Sequence, residues 1–492
     1  MKPVKSILLA ILSLLSICTW SQKKLLLTEP LKDAYKDIST LKIQNGTYQL
    51  NLLKIKDPDN AMVYYIENYV DFFTLFIQED PIKYKSLIKN RDTRLQKIKN
   101  SDPNSPYYLF CQAEIILQWA TIKLKFDDKI NAARDVYEAY KLLERNKERF
   151  PNFAENNKSL SIIHALAESV PGWVRKIMGI KGSVEMGTKE ISLLADQAQT
   201  SNSIFKDEIV AIYSYILFYS NNKKEEAFEL FDKYQLDATS SPLISFLKAT
   251  MAQKTGHNDL ALKILENRPK GSEYMPFYYL DFMHGKFKLN KLEPEANIYI
   301  LKFLNNFKGK HYIKEAYQKL AWYHIAINND NTKYQKVIKL CASQGNKLID
   351  EDIQADKEAK SNEIPDQILL KARLLYDGGY YNKSHNLLIM NSGKFEHKTN
   401  DGEYYYRLAR VTEALKNYND AIEYYKRTIS KGNPQKYFGC NAALQLGLIY
   451  ETQQKYLDAK NYFTLCLEMD PAGYSNSLHQ KAKSGLNRIG KK

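Results

Sequence analysis

Apolar residues across residues 403–471 recur every three or four positions and are broken by short polar links. This spacing predicts amphipathic helices laid down in pairs. In the later pair, Leu446 and Tyr450 lie four apart and share a helix face. Gly447 sits between them, where a residue without a side chain lets a second helix come close. After the link, Tyr456, Ala459 and Phe463 repeat the spacing, with Ala459 small at the crossing and Phe463 filling the space beside it. Pro471 ends the second helix, because proline cannot continue the hydrogen-bond ladder. The earlier pair repeats the scheme with Leu408 and Ala409, then Tyr418, Ala421, Tyr425 and Pro434.

The scheme extends upstream. Small residues followed four positions later by a bulky one occur at Ala227/Phe231, Ala261/Leu265, Ala296/Ile300 and Ser384/Leu388. The first three small residues are 34 and 35 apart, and Ser384, Ala421 and Ala459 are 37 and 38 apart. The 88 residues between Ala296 and Ser384 hold one extra pair (Tyr317, Leu320, Ala321 and His324, then Tyr334 and Ile338) plus an insertion. Nearer the start, 60–78 reads as an apolar helix too rich in aromatics to be exposed, and 106–126 with 128–149 as a helix pair. Asn45-Gly46 reads as a loop between helices, with a small β-hairpin as the alternative. Residues 160–196 form a glycine-dotted elbow around Pro171-Gly172-Trp173. Residues 347–363 carry six acidic and three basic side chains and read as a solvated helix or linker.

The repeated pattern resembles the tetratricopeptide repeat, W-x2-L-G-x2-Y, then A-x3-F, then P, at a period of about 34. The copy at 440–471 matches at Leu446, Gly447, Tyr450, Ala459, Phe463 and Pro471, and departs at the tryptophan, where Ala443 stands. In the copy at 403–434, Ala409 stands for the glycine, Thr412 for the tyrosine and Tyr425 for the phenylalanine. Residues 160–470 are also diffusely similar to the tetratricopeptide-repeat 39 and inclusion-body-clearance family. There Ile180 takes the place of a phenylalanine between glycines. These likenesses imply an all-α solenoid of helical hairpins and an interaction protein rather than a catalyst. They also imply that the first helix of each pair lines a concave groove. Tyr405, Leu408 and Thr412 then face the packing side, and Tyr406, Arg410 and Glu413 share the neighbouring face. One repeat earlier the register gives Leu369, Arg373 and Tyr376; one repeat later it gives Leu444, Leu448 and Glu451. Arg373 and Arg410 should therefore stack in adjacent repeats, suited to gripping a carboxylate of a partner's tail. The alternative is that both arginines pair with local acids.

The first 21 residues predict a cleaved export signal, with Lys2 and Lys5, an apolar run at 7–17, and Thr19 and Ser21 before Gln22. A lipid anchor at Cys18 is disfavoured because Ile17 precedes it. The composition and the cleavage context resemble exported proteins of the Bacteroidetes, which places the chain in the periplasm or envelope. Four further stretches are expected: an N-terminal helical region at 22–200, a divergent array at 201–346, a charged linker at 347–364, and repeats with a capping helix at 365–492. Cys111, Cys341, Cys440 and Cys466 show no metal or redox spacing and read as buried thiols, although an exported setting permits a disulfide.

The formal charge is +15, or +13 without Lys2 and Lys5, spread as lysine on helix exteriors. Export argues against nucleic acid as the partner. The eight histidines show no metal-ligand spacing. Residues 182–189 imitate a phosphate loop with the wrong residue order, and no motif arranges a nucleophile or a carboxylate pair. No catalytic residue, metal or cofactor is expected. The expected role is a scaffold or adaptor with a protein partner; an envelope accessory protein that binds glycan or lipid surfaces is the alternative, favoured by charge and tyrosines.

Overall fold

A computed structural model describes residues 23–168, 175–176, 179–361, 363–395, 402–433, 436–471 and 474–490. The expected signal at 1–21 with Cys18, the Pro171-Gly172-Trp173 elbow, His397 and Pro434 lie outside the described residues. The described chain is all-α, and its helices pack chiefly against their sequence neighbours as hairpins. The extended contacts among the described residues are isolated bridges, Lys23 to Ser101 and Lys24 to Asn60. No described helix is long and apolar enough to cross a membrane. The chain divides into two units, one of 1–247 with 268–276 and one of 248–267 with 277–492.

The small crossing positions explain the hairpins. Ala227, Ala261, Ala296, Ser384, Ala421 and Ala459 are all fully buried, and so are their bulky partners from Phe231 to Phe463. Ser384 fits at an alanine position because its hydroxyl donates to the Ala372 carbonyl at 2.8 Å. At Gly447 a Cβ would stand 2.5 Å from the Phe463 ring, so the helices Tyr437–Thr452 and Tyr456–Glu468 can close only on glycine. Leu408, Tyr425, Leu446 and Tyr450 are buried around them.

Two local expectations are corrected. Asn45-Gly46 is not a loop but lies in the first turn of the helix Ile43–Lys56. Gly46 is used for contact rather than for turning: a Cβ there would meet Ile38 and the Ala34 carbonyl of the preceding helix. The charged stretch after 347 is a helix, one of the two expected forms, but it is not solvated all round. It forms the helix Asp350–Ser361, with Asp352, Ala355, Asp356 and Ala359 buried, because its acids are spent on the neighbouring helix. The Asp352 carboxylate accepts the Tyr312 N–H at 2.7 Å and the Glu315 N–H at 3.0 Å, capping the helix Ile313–Ala326 from outside. Asp356 pairs with the buried Lys314 at 3.0 Å. Asp352→Ala is expected to cost about 1–2 kcal/mol, the usual value of a lost cap, and to speed amide exchange in the first turn of that helix.

The unit of 1–247 with 268–276 is tied by a buried charge. Lys158, with no exposed side-chain surface, lies 2.6 Å from Glu114 and 2.8 Å from Glu208. Its ammonium also donates to Tyr69 Oη at 3.1 Å. Glu208 in turn accepts from Tyr35 and Tyr69. One lysine therefore joins the helices Glu29–Ser39, Met62–Gln78, Tyr107–Lys125, Asn156–Ala167 and Lys206–Tyr215.

Candidate functional site

Within the unit of 248–267 and 277–492, the helices Ile313–Ala326, Gln367–Asp377 and Gly402–Ala414 lie next to one another, each the first of its pair. Their shared face carries a ladder of cations and aromatic rings. The Lys319 ammonium stands 3.6 Å from the centre of the Trp322 ring, and the Arg373 guanidinium is 4.4 Å from the same ring. One helix further on, Arg410 lies 4.0 Å from Tyr376 and 5.7 Å from Tyr406. Cations on aromatic faces are attracted by the ring quadrupole and keep their N–H edges free for another ligand.

The ladder borders a cavity of about 1060 Å³. Lys319, Trp322, Arg373, Tyr376, Arg407 and Arg410 all reach it. A smaller cavity of about 300 Å³ shares Arg373 and Arg410 with it and adds Tyr406, Asn441 and Lys481. Some acids on this cavity are engaged by other groups, while Asp350, Glu351 and Asp377 also line it. Glu358 accepts from Trp322 Nε1 at 2.5 Å and Gln318 at 2.6 Å, and Glu315 holds Lys286 at 2.8 Å. Arg373 has Asp377 at 3.8 Å, too long for a hydrogen bond, and Arg410 has no carboxylate within 4 Å among the described residues. Arg407 is buried at 4% exposure; Glu403 takes its Nε and Nη2, while Nη1 has no hydrogen-bond partner.

Of the six residues expected in a groove, the structure brings Arg373, Tyr376 and Arg410 together on the larger cavity. Tyr406 is not an exposed groove residue: it is 1% exposed, packed against Phe438, and accepts from Asn441 at 2.7 Å, so it reaches only the smaller cavity. Glu413 turns to its own hairpin and accepts the Tyr425 hydroxyl at 2.5 Å. Leu448 packs on the terminal core. Glu413 is drawn to Tyr425 and Leu448 to the core of a later helix, and the groove side of Arg410 continues one turn back, at Arg407. Lys319, Trp322 and Arg407 are absent from the sequence-based set. Trp322, one of four tryptophans, three residues after a lysine on an apolar helix, was the available signal.

Burial pushes Lys319 down to about 8, with the nearby Lys286 and Arg373 adding to the effect and Glu315 opposing it. Its folded value lies below the ordinary lysine value, so it is charged below about pH 8 and neutral above. An anion held at this ladder is therefore expected to bind more weakly as pH rises from 7 to 9.5, and Lys319→Gln is expected to flatten that part of the profile. Fluorescence anisotropy across this range checks it. From the same sign, Lys319 favours folding increasingly between about pH 8 and the ordinary lysine value.

No family model matches this sequence, and neither does any curated protein. Among solved structures, the chain is similar to one described as the structure of Naa15/Naa10 bound to HypK-THB, with 11% identity and a TM-score of 0.26. That likeness covers 93% of this chain and 65% of the other, so the chain spans just under two thirds of its length.

Proposed function

We propose that this chain is an exported, non-enzymatic helical scaffold that holds an extended acidic segment or acidic C-terminal tail of a partner protein along the Arg373–Arg410 ladder. The observation that carries this reading is the state of Arg410: it is stacked between Tyr376 and Tyr406, faces both cavities and lacks a carboxylate among the described residues. Arg373 is held on Trp322 in the same way, one helix away. Two forks fixed by aromatic faces lose little freedom on binding, which suits bidentate recognition of carboxylates. Export rests on the leader pattern of residues 1–21 and the partner class on the groove's chemistry.

The test is binding of a fluorescein-labelled nonapeptide carrying three glutamates and a free C-terminus to the full chain, beside the same peptide with glutamines. Preference for the glutamate peptide, weakening with salt, supports the reading. Equal binding of both peptides, or of neither, overturns it.

A further inference from the structure

Cys440 lies in the helix Tyr437–Thr452 and Cys466 in its hairpin partner Tyr456–Glu468. Their sulfurs are 3.6 Å apart, and the Cys440 thiol also reaches the Cys466 carbonyl at 3.4 Å. Both side chains are buried, at 2% and 0% exposure. A disulfide needs the sulfurs at about 2.05 Å, a closure of the kind that small side-chain rotations supply when two cysteines already face each other across a hairpin. Among the described residues, neither cysteine faces another thiol: Cys111 contacts Met62, and Cys341 bonds to the Lys314 and Ala355 carbonyls.

His479, on the terminal helix Ser475–Ile489, bonds through Nε2 to the Met469 carbonyl at 2.7 Å and so fastens that helix to the end of the hairpin. We propose that Cys440 and Cys466 are a redox pair that closes to a disulfide across the last repeat hairpin. The hydrogen bond from Cys466 pulls the Cys440 thiol below its ordinary value, with His479 adding to the pull and burial opposing it. The same bond, together with burial, holds Cys466 well above its own ordinary value. Cys440 is thus the attacking sulfur and Cys466 the resolving one.

The oxidant is a small or protein disulfide. With glutathione disulfide, the Cys440 thiolate attacks one sulfur, forms a mixed disulfide and expels one glutathione thiolate. Cys466 then attacks the Cys440 sulfur and expels the second. Two protein thiols are oxidised, one glutathione disulfide is reduced to two glutathione thiols, and the two protein protons pass to them. The closed loop spans 26 residues and pins the hairpin that carries Tyr437 and Asn441 to the smaller cavity.

The test uses the full chain, exposed either to dithiothreitol or to glutathione disulfide, then quenched in acid, alkylated in guanidinium and mapped by mass spectrometry. The same is done after refolding from urea in a glutathione redox buffer, so that burial of the pair does not hide it from the oxidant. The expected result is one cross-linked peptide pair holding Cys440 and Cys466, two hydrogens lighter than the reduced pair, with Cys111 and Cys341 fully alkylated throughout. Full alkylation of Cys440 and Cys466 in both oxidised samples overturns the proposal.

Discussion

Lys158→Met is expected to loosen the unit of 1–247 and 268–276 by about 3–5 kcal/mol, the cost of breaking a buried ion pair from one side. Burial opposes the Lys158 ammonium, but Glu114 and Glu208 outweigh it and hold its pKa above the ordinary value. Glu114 shows the opposite balance: burial raises its carboxyl and Lys158 pulls it down. With Lys158 gone, Glu114 keeps the Ser159 hydroxyl and must stay charged in a dry site or take up a proton. Its folded pKa then stands further above the unfolded one. Stability from this group is present at low pH and lost as pH rises through that folded value, so the deficit of Lys158→Met is smaller at pH 5 than at pH 8. Amide exchange in Tyr107–Lys125 and Asn156–Ala167 is expected to speed up by about two to three orders of magnitude at pH 8. Adding Glu114→Gln, which keeps a partner for Ser159 and removes the charge, is expected to recover most of the loss. Exchange in the single variant within a factor of five of the parent would show that the pair contributes little.

This cluster also marks where sequence reasoning stops. The hairpins were legible because their rule is local: small and bulky residues four apart, with a constant period, as at Ala421/Tyr425 and Ala459/Phe463. Gly447 could be placed against a second helix before the Phe463 ring was seen there. Lys158 and Glu114 were not legible, because charged residues at helical spacing read as solvated until five helices are known to converge. Asp352 and Asp356 misled for the same reason. The groove fell between these cases. Arg373 and Arg410 follow from repeat register, which is local. Lys319 and Trp322 come from the extra pair in the 88-residue interval, where the period breaks and register cannot be carried across. Glu413 and Leu448 share that register too, but the Tyr425 hydroxyl holds the first and the terminal core the second.

Arg373→Ala/Arg410→Ala is expected to weaken binding of the glutamate peptide by about three orders of magnitude. A hydrogen-bonded contact to a charged group is worth about 1.5–3 kcal/mol, which makes each single variant about 10–150-fold weaker. The pair shares two cavities, so the two losses are not expected to add simply. Alanine at 410 also removes packing from Tyr376 and Tyr406, because the guanidinium covers both rings. Lysine is therefore the informative substitution. Arg373→Lys/Arg410→Lys keeps both charges and loses only the planar forks. If recognition is bidentate, the lysine variant binds at least about tenfold more weakly than the parent. If the ladder acts only as a positive surface, the lysine variant binds like the parent while the alanine variant does not. Parent-like binding by both variants, with unchanged far-ultraviolet circular dichroism, would move the acidic segment away from these helices altogether. The glutamine peptide separates side-chain charge from the chain end: it keeps its free C-terminal carboxylate, so any binding to the parent that it retains and the alanine variant abolishes reports the chain end.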